Sequence, residues 1–342
     1  MHQQHGYERP LESSQARNPQ LDQLLAKLNG ALALAEASLD PPPPNPWPVL
    51  FLIGNHRSGT TLFMQWLAAQ GHWSYPSNLI SRFHRAPRIG AQLQRLLTDP
   101  TLQVQDEFAE LSGLLPEIGP SRLGKTRGLL SPHAFLSFWR QHLPLKDRDQ
   151  VDRSALDTLD PSPLAGGLAG LAGALGKPLA MKAMILNCHI DWLARAVPES
   201  FFVWLRRDPF FVAQSVLEAR RRLYGTIEAW FAFRLEEHEE LMRLTPYEQV
   251  AGQIHYTDAA ILRAMAKLEP GRVIEVDYEA FCGQPAAVYA RLRAPYAQSG
   301  LSLPTDYAGP AAFASSQRLP DPEESALLLA ALERFGLKTS VG

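Results

Sequence analysis

Leu52-Ile53-Gly54-Asn55-His56-Arg57-Ser58-Gly59-Thr60-Thr61-Leu62-Phe63 is an apolar run that breaks into a glycine-bounded basic loop and resumes in a helical pattern. It reads as strand, phosphate loop and helix. Against the spacing G-x-x-x-x-G-K-[ST] of triphosphate-binding loops, Gly54 and Gly59 hold the glycine positions and Thr61 the hydroxyl position, but Thr60 stands in place of the lysine. Backbone N–H groups at the helix N-terminus, the positive end of the helix dipole and two threonine hydroxyls make a seat for one tetrahedral anion. Arg57 adds a planar fork of donors that fits phosphate or sulfate bidentately. The cation that reaches β and γ phosphates is missing, and no clean candidate stands after another strand for the acid that would hold Mg²⁺.

A second stretch has the same grammar. Phe201-Phe202-Val203-Trp204-Leu205 is a buried-strand pattern, followed by Arg206-Arg207-Asp208-Pro209 and an apolar-periodic segment to about Leu223. Asp208 suits an N-cap and Pro209 the first helical position. A donor carrying one phosphate and one sulfuryl group needs neither the missing lysine nor the metal. The run Arg57-Ser58-Gly59-Thr60-Thr61 resembles the 5′-phosphosulfate loop of the sulfotransferase family, whose donor is 3′-phosphoadenosine 5′-phosphosulfate. The resemblance implies that Arg57, Ser58, Gly59, Thr60 and Thr61 hold the 5′-phosphosulfate. It further implies that Arg207, with Ser215 eight residues on, grips the 3′-phosphate, a pairing that periodicity would not have proposed.

Sulfuryl transfer moves SO₃ between two oxygens in line, and negative charge gathers on the leaving phosphate oxygen, where a protein cation lowers the barrier without a metal. Arg57 is the first candidate. Lys182, after the apolar run that begins at Pro178, resembles the strand-end lysine that contacts the transferring group in relatives, although no proline or histidine follows it closely. A general base should take the acceptor's hydroxyl proton. His133 is the candidate chosen here, because Pro132-His133-Ala134-Phe135 resembles a Pro-His-x-Phe run in bacterial relatives. His84, Glu107, Glu110, Glu117 and His189 compete for the role, with the segment from Asp106 to Glu117 as the source of a carboxylate alternative. Tyr278-Glu279 resembles a strand-end Tyr-Glu pair of the family and is read as structural. Arg318, in Ser315-Ser316-Gln317-Arg318, is a weaker match to a late basic loop.

The bulk composition is that of an ordinary soluble globular chain: 342 residues, 46% hydrophobic, 20% charged and a formal charge of −2. There is no global basic field to argue for nucleic acid. The two cysteines, Cys188 and Cys282, are too few for a disulfide framework or a zinc cage. The polar start Met1-His2-Gln3-Gln4-His5 lacks the apolar core of a signal peptide, and no stretch reads as membrane-spanning, so a cytoplasmic protein is expected. Pro163 to Ala183 is broken by glycines, and its leucines at 164, 168, 171 and 175 predict a buried helix instead.

The expected organisation is an accessory helix with a proline-rich linker over 1–45 and a catalytic domain over 46–342. Core strands are predicted at about 48–54, 178–183, 201–206 and 272–277. Alternation with helices, including amphipathic ones at 226–244 and 246–268, predicts a parallel α/β sheet of P-loop-like type covered on both faces. Residues 77–160, between the first two core strands, are expected to form a mostly helical insertion, which the resemblance to sulfotransferases implies walls the acceptor site. The implied activity is transfer of a sulfuryl group to a hydroxyl of a carbohydrate, lipid or small metabolite, with no metal. A P-loop kinase with an altered loop, and a silent nucleotide-binding protein, are the alternatives. Nothing in the sequence sets the acceptor or the oligomeric state.

Overall fold

A computed structural model describes residues 18–341 except 106, 148, 149, 316 and 318. Arg318, Asp106 and the first residues therefore lie outside the described residues. The chain builds a four-stranded parallel sheet from β1 (Val49–Ile53), β4 (Ala180–Lys182), β5 (Ser200–Arg206) and β6 (Val273–Asp277). A separate antiparallel pair, β2 (Leu145–Asp147) and β3 (Gln150–Val151), lies in the insertion. The sheet order is β4-β1-β5-β6, with Leu50 opposite Ala180 and Phe201, and Val203 opposite Ile274.

Every residue of β1 is buried, as a central parallel strand requires. Alternation sorts its side chains into two cores. Val49, Phe51 and Ile53 join Met181, Phe202, Trp204 and the helix Ser162–Leu175 on one face. Leu50 and Leu52 join Phe201, Val203, Val276 and the helices Thr60–Ala69 and Pro285–Gln298 on the other. The connection from β1 runs to β4 on one side, and the chain then crosses to β5 on the other. This reversal makes the carboxyl end of β1 a topological switch point, the crevice where open α/β sheets bind ligands.

Two features depart from the expected pattern. The insertion over 77–160 is helical only in part: it holds the helices Pro87–Thr98 and Leu136–His142, shorter helical turns and the β2–β3 pair, with irregular chain elsewhere. Its aromatic residues anchor it, since Phe135, Phe138 and Trp139 are buried in the core. The helix expected over 226–244 is reduced to His238–Leu241. Gly225, at φ 74, terminates the Pro209–Tyr224 helix in a left-handed cap. Side chains then satisfy the carbonyls of the extended segment: Arg220 donates to the Ile227 carbonyl at 2.9 Å and Gln253 to the Phe231 carbonyl at 3.0 Å. Tertiary hydrogen bonds have replaced helical ones, and the segment is free to present its aromatic residues sideways.

The accessory helix Pro19–Ala37 docks on the insertion. Asn29 donates to the Arg82 carbonyl and accepts from the Arg85 N–H, while the Glu36 carboxylate accepts the N–H groups of Arg88 and Ile89 at the start of the next helix. No helix among the described residues is long and apolar enough to cross a membrane.

Candidate active site

The loop after β1 is fixed from three sides. Asn187, in the turn after β4, accepts from the Gly54 N–H at 3.2 Å and donates to its carbonyl at 2.8 Å, a side-chain amide that mimics a strand partner. Gly54 has φ 135, and a Cβ there would run into the Leu205 carbonyl of β5, so only glycine lets the loop leave the sheet here. Asn55 donates to Asp258 at 2.8 Å, while its carbonyl accepts from the Ser58 hydroxyl at 2.8 Å. Burial pushes the Asp258 carboxyl up to about 6. Gly59, at φ 94, opens the helix Thr60–Ala69, and a Cβ there would strike the Tyr278 ring.

Arg57 sits at φ 67, a left-handed conformation that non-glycine residues hold only when the surroundings demand it. The surroundings are Ser215 and Arg207. The Arg57 Nε donates to the Ser215 hydroxyl at 3.0 Å, and the Arg207 guanidinium donates to the Arg57 carbonyl at 3.0 Å. Arg207 is itself packed over the Tyr278 ring, 4.9 Å from its centroid, and 3.9 Å from the Glu279 carboxylate. Tyr278 and Glu279, at the end of β6, thus support both the loop glycine and Arg207.

Lys182, the last residue of β4, donates from Nζ to the Thr61 hydroxyl at 2.9 Å, while its backbone carbonyl accepts the Trp139 indole N–H. Burial, aided by the charge of Arg57, brings the lysine down to about 7. Burial and the neighbouring Arg207 also depress the Arg57 guanidinium. Three partly desolvated cations gather around one helix N-terminus, with the Glu279 carboxylate beside Arg207 and the charge of Glu218 acting on Arg57. The arrangement calls for an anion.

These groups line one cavity of about 2560 Å³, with Thr60, Thr61, Arg207, Ser215, Lys182 and His133 all on its wall. The sequence-predicted donor residues are therefore brought together, with Ser58 buried beneath the loop. His133 reaches the wall from the insertion, its backbone N–H donating to the Pro76 carbonyl at 2.7 Å. Its Nδ1 accepts the Phe135 N–H at 2.9 Å. The neutral ring therefore carries its proton on Nε2. Burial first, then Lys182, Arg82 and Lys125, lower it to about 4 and keep it neutral. Glu107, Glu110 and Glu117 are exposed, and they and His84 lie away from this wall. His189 is not on this wall and borders a small neighbouring cavity.

Sequence reasoning missed Asn187, Asp258 and the aromatic wall of Trp230, Phe231 and Phe233, which the non-helical segment after Gly225 turns into the cavity. Nothing in their local sequence marks them; each acts through a partner distant in the chain. Among the described residues no group of three or more His, Cys, Asp or Glu side chains gathers as a metal would require.

Among solved structures, the chain is similar to the sulfotransferase STF9 from Mycobacterium avium, with 15% identity, 93% of this chain and 78% of that one covered and a TM-score of 0.47. Similarity extends to STF1 from Mycobacterium tuberculosis H37Rv, with 13% identity, coverage of 92% and 79% and a TM-score of 0.46. A sulfotransferase from Alicyclobacillus acidocaldarius gives 16%, 86% and 97%, and 0.35. No curated protein sequence matches significantly. The sequence profile of the Sulfotransferase family matches residues 48–296, from just before β1 into the helix Pro285–Gln298. That span takes in the loop, Lys182, Arg207 and Ser215, and with well over half of its length matched, this chain belongs to the sulfotransferase family.

Proposed function

We propose that the protein transfers a sulfuryl group from 3′-phosphoadenosine 5′-phosphosulfate to a hydroxyl acceptor, releasing adenosine 3′,5′-bisphosphate and a sulfate ester. The observation that carries this reading is the convergence of Arg57, Lys182 and Arg207 on the N-terminus of the helix Thr60–Ala69, with Ser215 bonded to Arg57. Arg57, Lys182 and the loop N–H groups are suited to the phosphosulfate and to the charge that develops on the leaving oxygen. Arg207 and Ser215 are suited to a 3′-phosphate. The cavity exceeds the roughly 300–1,000 Å³ of a small-ligand site, which leaves room for an acceptor beside a nucleotide. The remaining lining mixes Trp230, Phe231 and Phe233 with Arg140, Arg234 and Glu239, suiting a hydroxyl acceptor with both apolar and polar surface.

The nucleotide preference tests the reading. Adenosine 3′,5′-bisphosphate should raise the thermal midpoint far more than 5′-AMP or ATP, with or without Mg²⁺. A larger shift from ATP with Mg²⁺ would favour the altered kinase instead.

Lys182 adds a pH signature. In the ligand-free protein it loses its proton near pH 7, and an anion beside it favours the charged form, so the bound state holds the proton to higher pH. Affinity for the bisphosphate should therefore fall as pH rises above about 7, approaching ~10-fold per pH unit for a one-proton linkage. Calorimetric titrations between pH 6.5 and 8.5 would show it, and Lys182→Met should flatten the slope.

A further inference from the structure

The proposed reaction needs a group that takes the acceptor's proton, and the lone pair of His133 that would do so at Nδ1 is already committed to the Phe135 N–H. Three carboxylates reach the cavity wall, Glu218, Glu228 and Glu239, of which Glu218 is paired with Arg222 at 2.9 Å. A second imidazole lines the same cavity. His56 is the residue immediately before Arg57 in the anion loop, and it forms part of the wall of the main cavity. Its ring packs against Phe233, with centroids 5.1 Å apart, and against Phe231 at 6.1 Å in an edge-on contact. Neither ring nitrogen has a hydrogen-bond partner among the described residues.

We propose that His56, held by Phe231 and Phe233 beside Arg57 and Lys182, is the general base for the acceptor hydroxyl, and that His133 serves as a hydrogen-bond donor at the same site. The inference rests on the sulfuryl-transfer reading above. In the step, the acceptor oxygen forms a bond to sulfur as the bond from sulfur to the 5′-phosphate oxygen breaks. The electron pair leaves with adenosine 3′,5′-bisphosphate, and the acceptor's proton passes to a ring nitrogen of His56. The bisphosphate product dissociates and the imidazolium returns its proton to solvent.

Before a donor binds, the His56 ring is unprotonated in the neutral range. Burial, with Arg57 and then Lys182, holds the imidazole down at about 3, so it is present as the neutral base throughout the neutral range. A donor with several negative charges, seated on those same two cations, would offset them and raise the proton affinity of the ring when the proton must be taken. The other groups near His56 are Cys188, His189, Arg234 and Glu236, which share with it a second cavity of about 30 Å³. Burial raises Cys188 to about 12 and lowers His189 to about 4, so neither changes charge in the neutral range.

Two measurements test the proposal. In ¹⁵N-histidine spectra of the wild-type protein, adenosine 3′,5′-bisphosphate should move the His56 titration upward by a unit or more. His133 should keep the Nε2–H tautomer. A His56 signal that ignores a bound bisphosphate, or a His133 ring protonated only on Nδ1, overturns the assignment. With ³⁵S-labelled donor and a cell extract as the source of acceptor, His56→Ala and His56→Gln should lose roughly 10² to 10⁴ in rate, with bisphosphate affinity within about threefold of wild type. Near-normal transfer by either variant, or an equal loss confined to Glu218→Gln, Glu228→Gln or Glu239→Gln, overturns it while leaving the sulfuryl-transfer reading intact. Failure of the wild-type protein to bind the bisphosphate would instead bring down the underlying reading.

Discussion

Arg57→Ala is expected to lower turnover on the order of 10² to 10³-fold, the loss typical when one preorganised donor to a developing oxyanion is removed, and to weaken product binding far less. The guanidinium is held in place by Ser215 and by the strained backbone at φ 67, so it is positioned before the reaction begins and need not reorganise. Lys182→Ala should behave in the same way, because its ammonium is bonded to Thr61 at the mouth of the same helix. Steady-state rates with labelled donor, set beside calorimetric affinities for the bisphosphate, separate the two quantities. Near-normal turnover in Lys182→Ala would show that this lysine is a structural group whose stem packs along the strand end.

The second large effect is expected at Arg207. Loss of a charge-assisted contact costs about 1.5–3 kcal/mol, so Arg207→Ala should weaken adenosine 3′,5′-bisphosphate roughly 10- to 150-fold. The affinity of 5′-AMP, which has no 3′-phosphate, should change little by comparison. Arg207→Lys should rescue only part of the loss. A lysine keeps the charge but not the planar fork, and it stacks less well over Tyr278 than the guanidinium does at 4.9 Å. Equal losses for the two nucleotides would mean that Arg207 acts through the Arg57 carbonyl it bonds and does not read the 3′-phosphate.

The loop half of the candidate site was legible in the sequence because its information is local. Gly54 and Gly59 are required by positive φ and by close approach, Asp208 caps the helix it precedes by accepting from the Phe210 N–H, and the apolar runs of β1 and β5 are buried up to the terminal Arg206 of β5. What was not legible is held by long-range pairing. Asn187 clamps Gly54 from 133 residues away, and an asparagine in an apolar turn carries no sign of that partner. The segment after Gly225 has helical periodicity, yet its carbonyls are taken by Arg220 and Gln253, so Phe231 and Phe233 face the cavity. His133 was found by its neighbours in sequence, but its tautomer is decided by a backbone N–H two residues on, in a turn where Phe135 adopts φ 53. His56 was in plain view within the quoted loop and was passed over, because its use depends on which other lone pairs are already engaged.

The most direct test follows two labels in parallel through one cell extract: ³⁵S on the sulfuryl group of 3′-phosphoadenosine 5′-phosphosulfate, and ³²P on the γ-phosphate of ATP with Mg²⁺. The proposed function predicts that ³⁵S passes to a new organic ester with release of adenosine 3′,5′-bisphosphate, that Arg57→Ala abolishes most of the transfer, and that ³²P stays on the nucleotide. Transfer of ³²P to an acceptor while ³⁵S remains on its donor would contradict it.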